Sequence, residues 1–490
     1  MPQGPHAAVL VSFGSMGYCS AMQVKRNAGN GPINRLSPRL DSDVRAWLPK
    51  LSALWKNGEA DTLSPGDIDE LGTSLLALQR GLTGDRRLAG AGYMDDPQLL
   101  GAYLLYYWPV SYLEGRFALS TLNRELSILS ASAREAGRPL RVLDCGSGPA
   151  PLAAALADSL ESAGGSSAER CPSCEIVLLD SSPAALKLGQ SLLGKAGSPP
   201  LVTTRTLNLE SGGNLGTELN SGPGGPEAAV AEQPFDLILL GHTLNELWRG
   251  DARSIERRSA FAAELASKLG QNGLLIVLEP ALLETSRALL AVRDRLVAAG
   301  IRAVAPCLCP SSPCPALAAG PMHTCHLELG WMPPEPVASL ARRAGLDRES
   351  VKVCFMAFSA PAATFRGTEL GDFGAEPGLL GRVVSEPMLN KAGRIRYLLC
   401  DGRNRFAFSA KSDDPAARRG GFFDLCRGDL ILIRNPEDRS LRQKGGQSDG
   451  PAYGWRVGTE LKVLERPGAE NRRPIGPIGT ELPESHAAGR

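Results

Sequence analysis

The stretch VLDCGSGPAPLAAAL, residues 142–156, decides how the rest of the chain is read. An apolar run ends at Asp144, glycines follow at Gly146 and Gly148, and an Ala/Leu-rich helical pattern opens after Pro151. Glycine allows a close approach of backbone to ligand, and a helix N-terminus offers free N–H groups. A strict dinucleotide fingerprint requires a third glycine, and here Pro149 and Ala150 follow Gly148.

The same alternation continues on either side. LRVLDC, EIVLLD, FDLILLG, GLLIVLEP and IRAVAPC, with a weaker LVTTRTL and a later VKVCFMAFS, are apolar runs of strand length separated by helical patterns. This order predicts an α/β fold with a parallel sheet wrapped on both faces, which binds ligands outside the carboxyl ends of its strands. Asp180, closing EIVLLD, stands where a carboxylate accepts both hydroxyls of a ribose, whether of an adenosyl cofactor or of NAD. FDLILLGHTLNEL begins with an acid and carries polar residues just past its end, where class I methyltransferases form the floor of the methyl-donor pocket. The sheet is therefore read as a class I, Rossmann-like, S-adenosylmethionine-dependent methyltransferase sheet. Asp144, Gly146, Gly148 and Asp180 are its cofactor-binding residues; NAD and a sheet that has lost its ligand are the alternatives. Methyl transfer from a sulfonium leaves a neutral thioether, so it needs an acceptor held in line at about 3–3.5 Å more than it needs acid–base help. His242, Asn245 and Glu246 are the candidate catalytic positioners, with capping of the next helix as the plainer role of His242 and Asn245.

Upstream, over 41–138, apolar residues recur at three- and four-residue intervals and predict an N-terminal helical domain. Ser64, Pro65 and Asp67 are placed to start its second helix. AYLLYYWPVSY, residues 102–112, concentrates Tyr103, Tyr106, Tyr107, Trp108 and Tyr112, which are expected to pack the helices onto the sheet. Residues 1–40 contain no Asp or Glu and are expected to be a disordered extension rather than a transit peptide. The methyltransferase-like domain is expected over 139–360, interrupted by Gly/Ser/Pro-rich surface insertions at 162–174 and 210–233 and by a cysteine-cluster insertion at 306–331. A small β-rich, Arg-rich unit over 361–467 and a disordered tail over 468–490 complete the chain.

Composition excludes several classes. With 490 residues, 43% hydrophobic and 21% charged, disorder as the main state is out. The balance of 53 Lys+Arg against 52 Asp+Glu excludes a strongly basic nucleic-acid binder, so RNA contact requires a local patch. No apolar run reaches membrane-spanning length.

Eleven cysteines are many for such a chain. In a long chain with no clear signal peptide, an odd number points to metal or cluster ligation before disulfides. Cys307, Cys309, Cys314 and Cys325 crowd one segment, APCLCPSSPCPALAAGPMHTCHLELGW, and Cys400 in RYLLCDG is their distant partner. Soft thiolates at this density suit an iron–sulfur cluster or zinc. Cys171 and Cys174 form a lone C-x-x-C with no second pair; Cys145 and Cys354 read as structural, and Cys19 and Cys426 receive no chemistry.

The order RVLDCGSGPA, FDLILLGHTLNEL, LLIVLEPAL with Arg287, APC…CP…CH and LLCDG resembles the Rsm22 family of mitochondrial and bacterial small-ribosomal-subunit methyltransferase-like proteins, from residue 102 to about 430. The resemblance implies an adenosylmethionine-type domain, a four-cysteine iron–sulfur (4Fe-4S) site, and work on small-subunit ribosomal RNA in ribosome assembly or translation. It also implies the ligands: Cys309 or Cys307 first, then Cys314, Cys325 and Cys400. The first spacing is one residue short from Cys309 and one long from Cys307, and Thr324 replaces the usual Trp before the third ligand. The expected partner is the small ribosomal subunit and its rRNA, with no membrane and a monomeric chain, in bacterial cytoplasm or, alternatively, the mitochondrial matrix. A non-catalytic assembly factor with the same fold and a small-molecule methyltransferase with a structural zinc are the competing functions. Arg394, Arg396, Arg403 and Arg405, interleaved with Tyr397 and Phe406, are the RNA-binding candidates, against a solvated antiparallel face.

Overall fold

The computed structural model describes residues 36–55, 63–84, 88, 93–163, 173–211, 233–308, 310–346, 349–360, 363, 378–440 and 450–468. Cys19, Cys171, Cys309, most of the 1–40 extension, most of both Gly/Ser/Pro-rich stretches and the tail beyond Gly468 lie outside the described residues.

The main sheet contains β1 (Leu140–Cys145), β2 (Cys174–Asp180), β3 (Leu201–Thr206), β4 (Phe235–Gly241), β5 (Leu269–Pro280), β6 (Arg302–Ala305), β7 (Leu327–Gly330) and β8 (Ser350–Ser359). The strand order is β3-β2-β1-β4-β5-β8-β6, with β7 also on β8. The first five strands are mutually parallel, and β8 runs antiparallel to β5, β6 and β7. This is the α/β, Rossmann-like sheet of class I methyltransferases. β4 and β5 are almost entirely buried because their apolar runs face helices on both sides of the sheet. β6 and β7 lie end to end along one edge of β8, so the cysteine segment between them is an edge loop of the sheet. LELG is too short to stand out as a strand, and its pairing with residues 350–353 is what makes it β7.

The N-terminal unit is helical, starting at Pro38, with helices Pro38–Trp55, Pro65–Gln79, Trp108–Leu119 and Asn123–Glu135 among its elements. Ser64 caps the second through a reciprocal pair: Ser64 Oγ accepts from Asp67 N–H at 3.2 Å, and Asp67 Oδ2 accepts from Ser64 N–H at 2.6 Å. Every residue of Trp108–Leu119 is buried. Gly115 permits its close seat on the helix Pro151–Ala163, since a Cβ there would lie 2.8 Å from Leu152 and 2.9 Å from Ala155. Trp108 stacks on Tyr112 at 5.4 Å, and its Nε1–H donates to the Pro149 carbonyl at 2.9 Å. The aromatic segment thus joins the helical unit to the glycine loop. Tyr106, Trp108 and Tyr112 are sealed from solvent, which leaves them no face for nucleic-acid stacking.

A second sheet is built from β9 (Leu379–Val383), β10 (Met388–Leu389), β11 (Arg394–Cys400), β12 (Arg405–Lys411), β13 (Leu430–Arg434), β14 (Glu437–Asp438), β15 (Ala452–Gly454) and β16 (Glu460–Glu465). Its order is β14-β15-β12-β11-β9-β13-β16, with β10 on β11, around a core of Tyr397, Phe406, Phe408, Phe422 and Trp455.

Candidate functional site

At the carboxyl end of β1 the chain turns at Gly146 (φ +67°) and Gly148 (φ +50°). A Cβ on Gly146 would sit 2.3 Å from Thr243 Oγ1, so the loop closes against the segment after β4 because the position is glycine. The Gly148 N–H donates to Asp180 Oδ2 at 2.8 Å and the Ser182 N–H to Oδ1 at 2.9 Å, fixing the carboxylate at the end of β2. Asp144 is 1% exposed, and its Oδ2 has no hydrogen-bond partner among the described residues. Burial, and then the charge of Asp180, push the Asp144 pKa up to about 8. The four cofactor candidates therefore lie around one loop. Asp236, the acid that opens β4, is at the opposite end of that strand, where Arg138 grips both its oxygens at 2.6 and 2.8 Å.

His242 follows β4 in the left-handed region (φ +59°) and donates its backbone N–H to Leu278 at 2.8 Å. Its Nε2 lies 2.9 Å from Glu114 Oε2 on the helix Trp108–Leu119, while Nδ1 is buried with no partner among the described residues. Burial pulls the imidazole pKa down, but the hydrogen bond and charge of Glu114, with Glu279 and Glu246 beyond, leave it raised. Glu279 at the end of β5 accepts from the Asn245 N–H at 3.0 Å; its Oε2 is partnerless among the described residues, and burial pushes its pKa up to about 7. Asn245 Nδ2 donates to the His242 carbonyl at 2.9 Å. The next helix starts at Ser254, so neither His242 nor Asn245 caps it. Glu246 is half-buried beside Tyr93 and Tyr103. A cavity lined by Tyr103, Ser111, Asp144, Gly146, Ser147 and His242, among others, occupies this edge. Of the three catalytic candidates His242 lines the cavity, Asn245 braces the turn, and Glu246 is not among the lining residues. Glu114 and Glu279 gave one signal in the sequence, an acid inside an otherwise apolar run; Tyr103 and Ser111 gave none that separates lining from packing.

The β6–β7 loop packs on the face of the sheet that carries Cys354, and its cysteines with their surroundings form the cysteine pocket. Cys307, Cys314 and Cys325 are electrostatic neighbours of one another, and Cys400, arriving on β11, neighbours Cys325 and Cys307. Burial raises the pKa of Cys307, and it raises that of Cys314 to about 12. Cys307 is one of these neighbours, and Cys309 lies outside the described residues. Among the described residues no group of three or more His, Cys, Asp or Glu side chains is gathered so as to hold a metal ion. Guanidinium groups strap the loop down. Arg287 donates to the Gly320 and His323 carbonyls at 2.7 and 2.9 Å, and Arg293 to Ser312. Arg382 reaches Pro306 at 2.9 Å, and Arg405 reaches Thr324 at 2.6 Å. The backbone N–H of Cys314 donates to Asp294 at 2.9 Å. Cys354 on β8 points the same way, its Sγ 3.2 Å from the Cys325 carbonyl oxygen, while Cys145 and Cys426 are buried elsewhere.

The RNA-binding candidates separate. Arg403 is exposed; Arg396 is half-buried; Arg394 is half-buried and bonded to the Ser409 carbonyl at 2.9 Å. Arg405 is buried and turned into the cysteine pocket, which corrects its assignment to an RNA surface. Tyr397 and Phe406 belong to the core of the second sheet, because the side chains of β11 and β12 alternate and theirs is the inward face. The aromatic half of the proposed stacking pattern is therefore absent from the surface.

The sequence model described as mitochondrial small ribosomal subunit Rsm22 matches residues 110–407, more than half of the chain. No curated protein matches the sequence. Among solved structures, the plantazolicin methyltransferase BpumL in complex with SAH is similar at 10% identity and a TM-score of 0.28, covering 60% of this chain and 98% of that one. A putative class I S-adenosylmethionine-dependent methyltransferase from Listeria monocytogenes gives 10% identity and 0.29, covering 68% and 91%. Magnesium protoporphyrin IX methyltransferase from Synechocystis PCC 6803 with bound SAM gives 13% and 0.26, covering 59% and 96%. At these TM-scores the likenesses carry no argument beyond the strand order already described.

Proposed function

We propose that this chain, which belongs to the Rsm22 family of the mitochondrial small ribosomal subunit, binds S-adenosylmethionine at the acidic edge of its main sheet, holds a 4Fe-4S cluster in the cysteine pocket, and acts on small-subunit ribosomal RNA in ribosome assembly and translation. The observation that carries the first part is the pair of buried polar atoms without partners among the described residues, Asp144 Oδ2 and His242 Nδ1, on a cavity floored by the glycine loop. Buried polar atoms are satisfied in native proteins, so these await a ligand with donors or positive charge. A donor carrying a sulfonium and an ammonium group has both. Asp180, already fixed by two backbone amides, keeps lone pairs for ribose hydroxyls. When bound, the cofactor supplies an activated methyl group; the chain's own part is to orient it and to exclude water.

The cluster reading is supported by the donor set. Cys307, Cys314 and Cys325 come from the β6–β7 loop and Cys400 from β11, where Cys325 and Cys307 are its electrostatic neighbours, and cationic side chains lie around them. Zinc is the alternative for the same ligands. Arg394, Arg396 and Arg403 remain as the RNA-facing candidates, and the mitochondrial matrix is the compartment the family description favours. One observation favours a second reading, an assembly factor without turnover: Tyr103 and Ser111 from the helical unit line the donor cavity and Glu114 grips His242, narrowing the way to an acceptor.

Calorimetric titration of anaerobically purified chain with S-adenosylmethionine tests the first part, and absence of heat counts against it. Iron, sulfide and zinc analysis with an optical spectrum tests the second. Transfer of labelled methyl to small-subunit rRNA separates the two readings, since the assembly factor binds donor and transfers nothing. Glutamate at Arg394, Arg396 and Arg403 should weaken RNA binding, and unchanged binding removes that surface.

A further inference from the structure

Glu114 sits on the helix Trp108–Leu119, every residue of which is buried, and His242 follows β4 in the left-handed region at φ +59°. Both are held from behind. Gly115, next to Glu114, lets that helix seat against Leu152 and Ala155. The His242 backbone is bonded on both sides, its N–H to the Leu278 carbonyl at 2.8 Å and its carbonyl to Asn245 Nδ2 at 2.9 Å. So placed, the ring brings Nε2 to 2.9 Å from Glu114 Oε2. A carboxylate only accepts hydrogen bonds, so Nε2 carries the hydrogen and the neutral ring keeps its lone pair at Nδ1. Nδ1 is buried, has no partner among the described residues, and belongs to a ring that lines the donor cavity with Asp144, Ser111 and Tyr103.

A ring nitrogen with a free lone pair attacks a sulfonium unaided, whereas a hydroxyl or N–H acceptor must also shed a proton. We propose that His242 Nδ1 is the general base that takes this proton, that Glu114 fixes its tautomer, and that the acceptor is accordingly a nucleotide hydroxyl or N–H group. This base role rests on the donor-site reading above. Asp144 balances the donor's positive charge, which leaves Nδ1 for the acceptor. In the step, the acceptor's lone pair forms the bond to the methyl carbon, the sulfur–carbon bond breaks with its electrons going to sulfur, and the proton passes to Nδ1. The groups around the ring favour its protonated form: Glu114 from the helix, Glu279 from the end of β5 and Glu246 from the segment after β4 outweigh burial. Arg258 acts on Glu279 in turn and is bonded to the Asn245 and Leu247 carbonyls. Glu114 is a positioning residue, since it reaches the acceptor only through the ring.

The test uses the full chain purified anaerobically as wild type, Glu114→Gln, His242→Asn and His242→Gln; asparagine adopts the left-handed region readily. Nitrogen-15 spectra of histidine-labelled chain from pH 5 to 9 read the tautomer and proton affinity of His242. Its signal is assigned by its absence from whichever His242 variant melts cooperatively. Wild type should show the hydrogen on Nε2 and a bare Nδ1 in the neutral ring, and Glu114→Gln should lower the ring's proton affinity about tenfold. A neutral ring with its hydrogen on Nδ1 overturns the proposal, and wild type alone decides this where Glu114→Gln fails to fold. Single-turnover transfer of labelled methyl to small-subunit rRNA, at saturating S-adenosylmethionine, should rise with pH through the wild-type imidazole pKa to a plateau. Glu114→Gln should move that rise to lower pH, which separates it from titration of Asp144 or Glu279, and the His242 variants should lose about 100-fold in rate. Digestion of the product should place the methyl on a hydroxyl oxygen or on a nitrogen that carried hydrogen; a methyl on a ring nitrogen without hydrogen, such as guanine N7, overturns the proposal. A His242 variant that loses donor affinity but keeps the saturated rate assigns Nδ1 to the donor and overturns it as well. Donor binding with no transfer overturns the base role and leaves the donor site standing, whereas absence of donor binding removes the donor reading and the base together.

Discussion

At the donor edge, Asp180 is fixed by the backbone amides of Gly148 and Ser182, both within a strand–loop–helix pattern that a short stretch of sequence specifies. In the cysteine pocket, the loop between β6 and β7 is tied down by side chains, with Arg287, Arg293, Arg382 and Arg405 each gripping a loop carbonyl from a separate position along the chain. Their charges are also opposite. Asp144, Asp180, Glu114, Glu279 and Glu246 gather around the first, and guanidiniums around the second. The first suits a cationic ligand and the second an anionic one. Glu279 on β5 is the register partner of Cys354 on β8, so their side chains project from the same face of the sheet and the two sites adjoin there.

If the two adjoining sites bind independently, damage to one should leave the other's ligand in place. The largest effect is expected from Cys314→Ser, which removes a buried thiol from the set: metal binding should fall roughly a thousandfold, about 4 kcal/mol. Metal analysis checks this beside a donor titration on the same sample. Donor affinity falling in parallel would show the pockets to be one coupled unit and would break the comparison. Next comes Asp180→Ala. Losing charge-assisted hydrogen bonds to a ribose should weaken S-adenosylmethionine roughly 100-fold, about 2.7 kcal/mol, with metal content unchanged. Under the assembly-factor reading this variant still supports small-subunit assembly and Cys314→Ser does not.

The third effect is one of pH. Asp144 titrates near 8 in the folded chain, because of burial and then the Asp180 charge, against about 3.9 in an unfolded one. A raised pKa means the folded state binds the extra proton, so this contribution to stability is complete below the unfolded value and is lost as pH climbs through 8. Glu279, near 7, acts in the same direction. The ligand-free chain should therefore melt at a lower temperature at pH 8.5 than at pH 6, and Asp144→Asn should flatten the slope while stabilising the chain at high pH by roughly 2 kcal/mol. A cationic donor should show the reverse trend, binding more tightly as pH rises toward 8. Melts and titrations across that range check both signs; equal slopes in wild type and variant would locate the titration elsewhere.

The same contrast explains how much the sequence revealed. Asp144, Gly146, Gly148 and Asp180 were legible because strand, loop and helix are contiguous and each residue's task follows from its position in that unit. The helical start at Ser64 was legible for the same reason. Legibility failed where contact is set by tertiary packing. Arg405 and Phe406 looked like an RNA-facing pair because alternation along a strand cannot tell which face is inward; the second sheet folds its aromatic face into a core and swings Arg405 toward Thr324. β7 was hidden because four residues pair only by virtue of where β8 lies. Glu114 lies 128 positions from His242, and nothing local to either announces the other.

The smallest expected effect bears on the claim that backbone, not side chains, organises the donor edge. Ser182 performs two tasks. Its side chain caps the helix Pro183–Leu193, accepting from the Ala185 N–H at 3.2 Å, and donates to Asp95 at 2.6 Å, while its backbone N–H holds Asp180. Ser182→Ala deletes the first task and keeps the second. Loss of a serine cap should cost about 1 kcal/mol of stability. Because the amide still points at Asp180, donor affinity should change by no more than about twofold, under 0.5 kcal/mol. A denaturant melt and a donor titration on one preparation read both quantities. A drop in affinity comparable to Asp180→Ala would mean that Asp180 is held through the Ser182 side chain and its link to Asp95, and the donor edge would then be organised by distant side chains, as the cysteine pocket is.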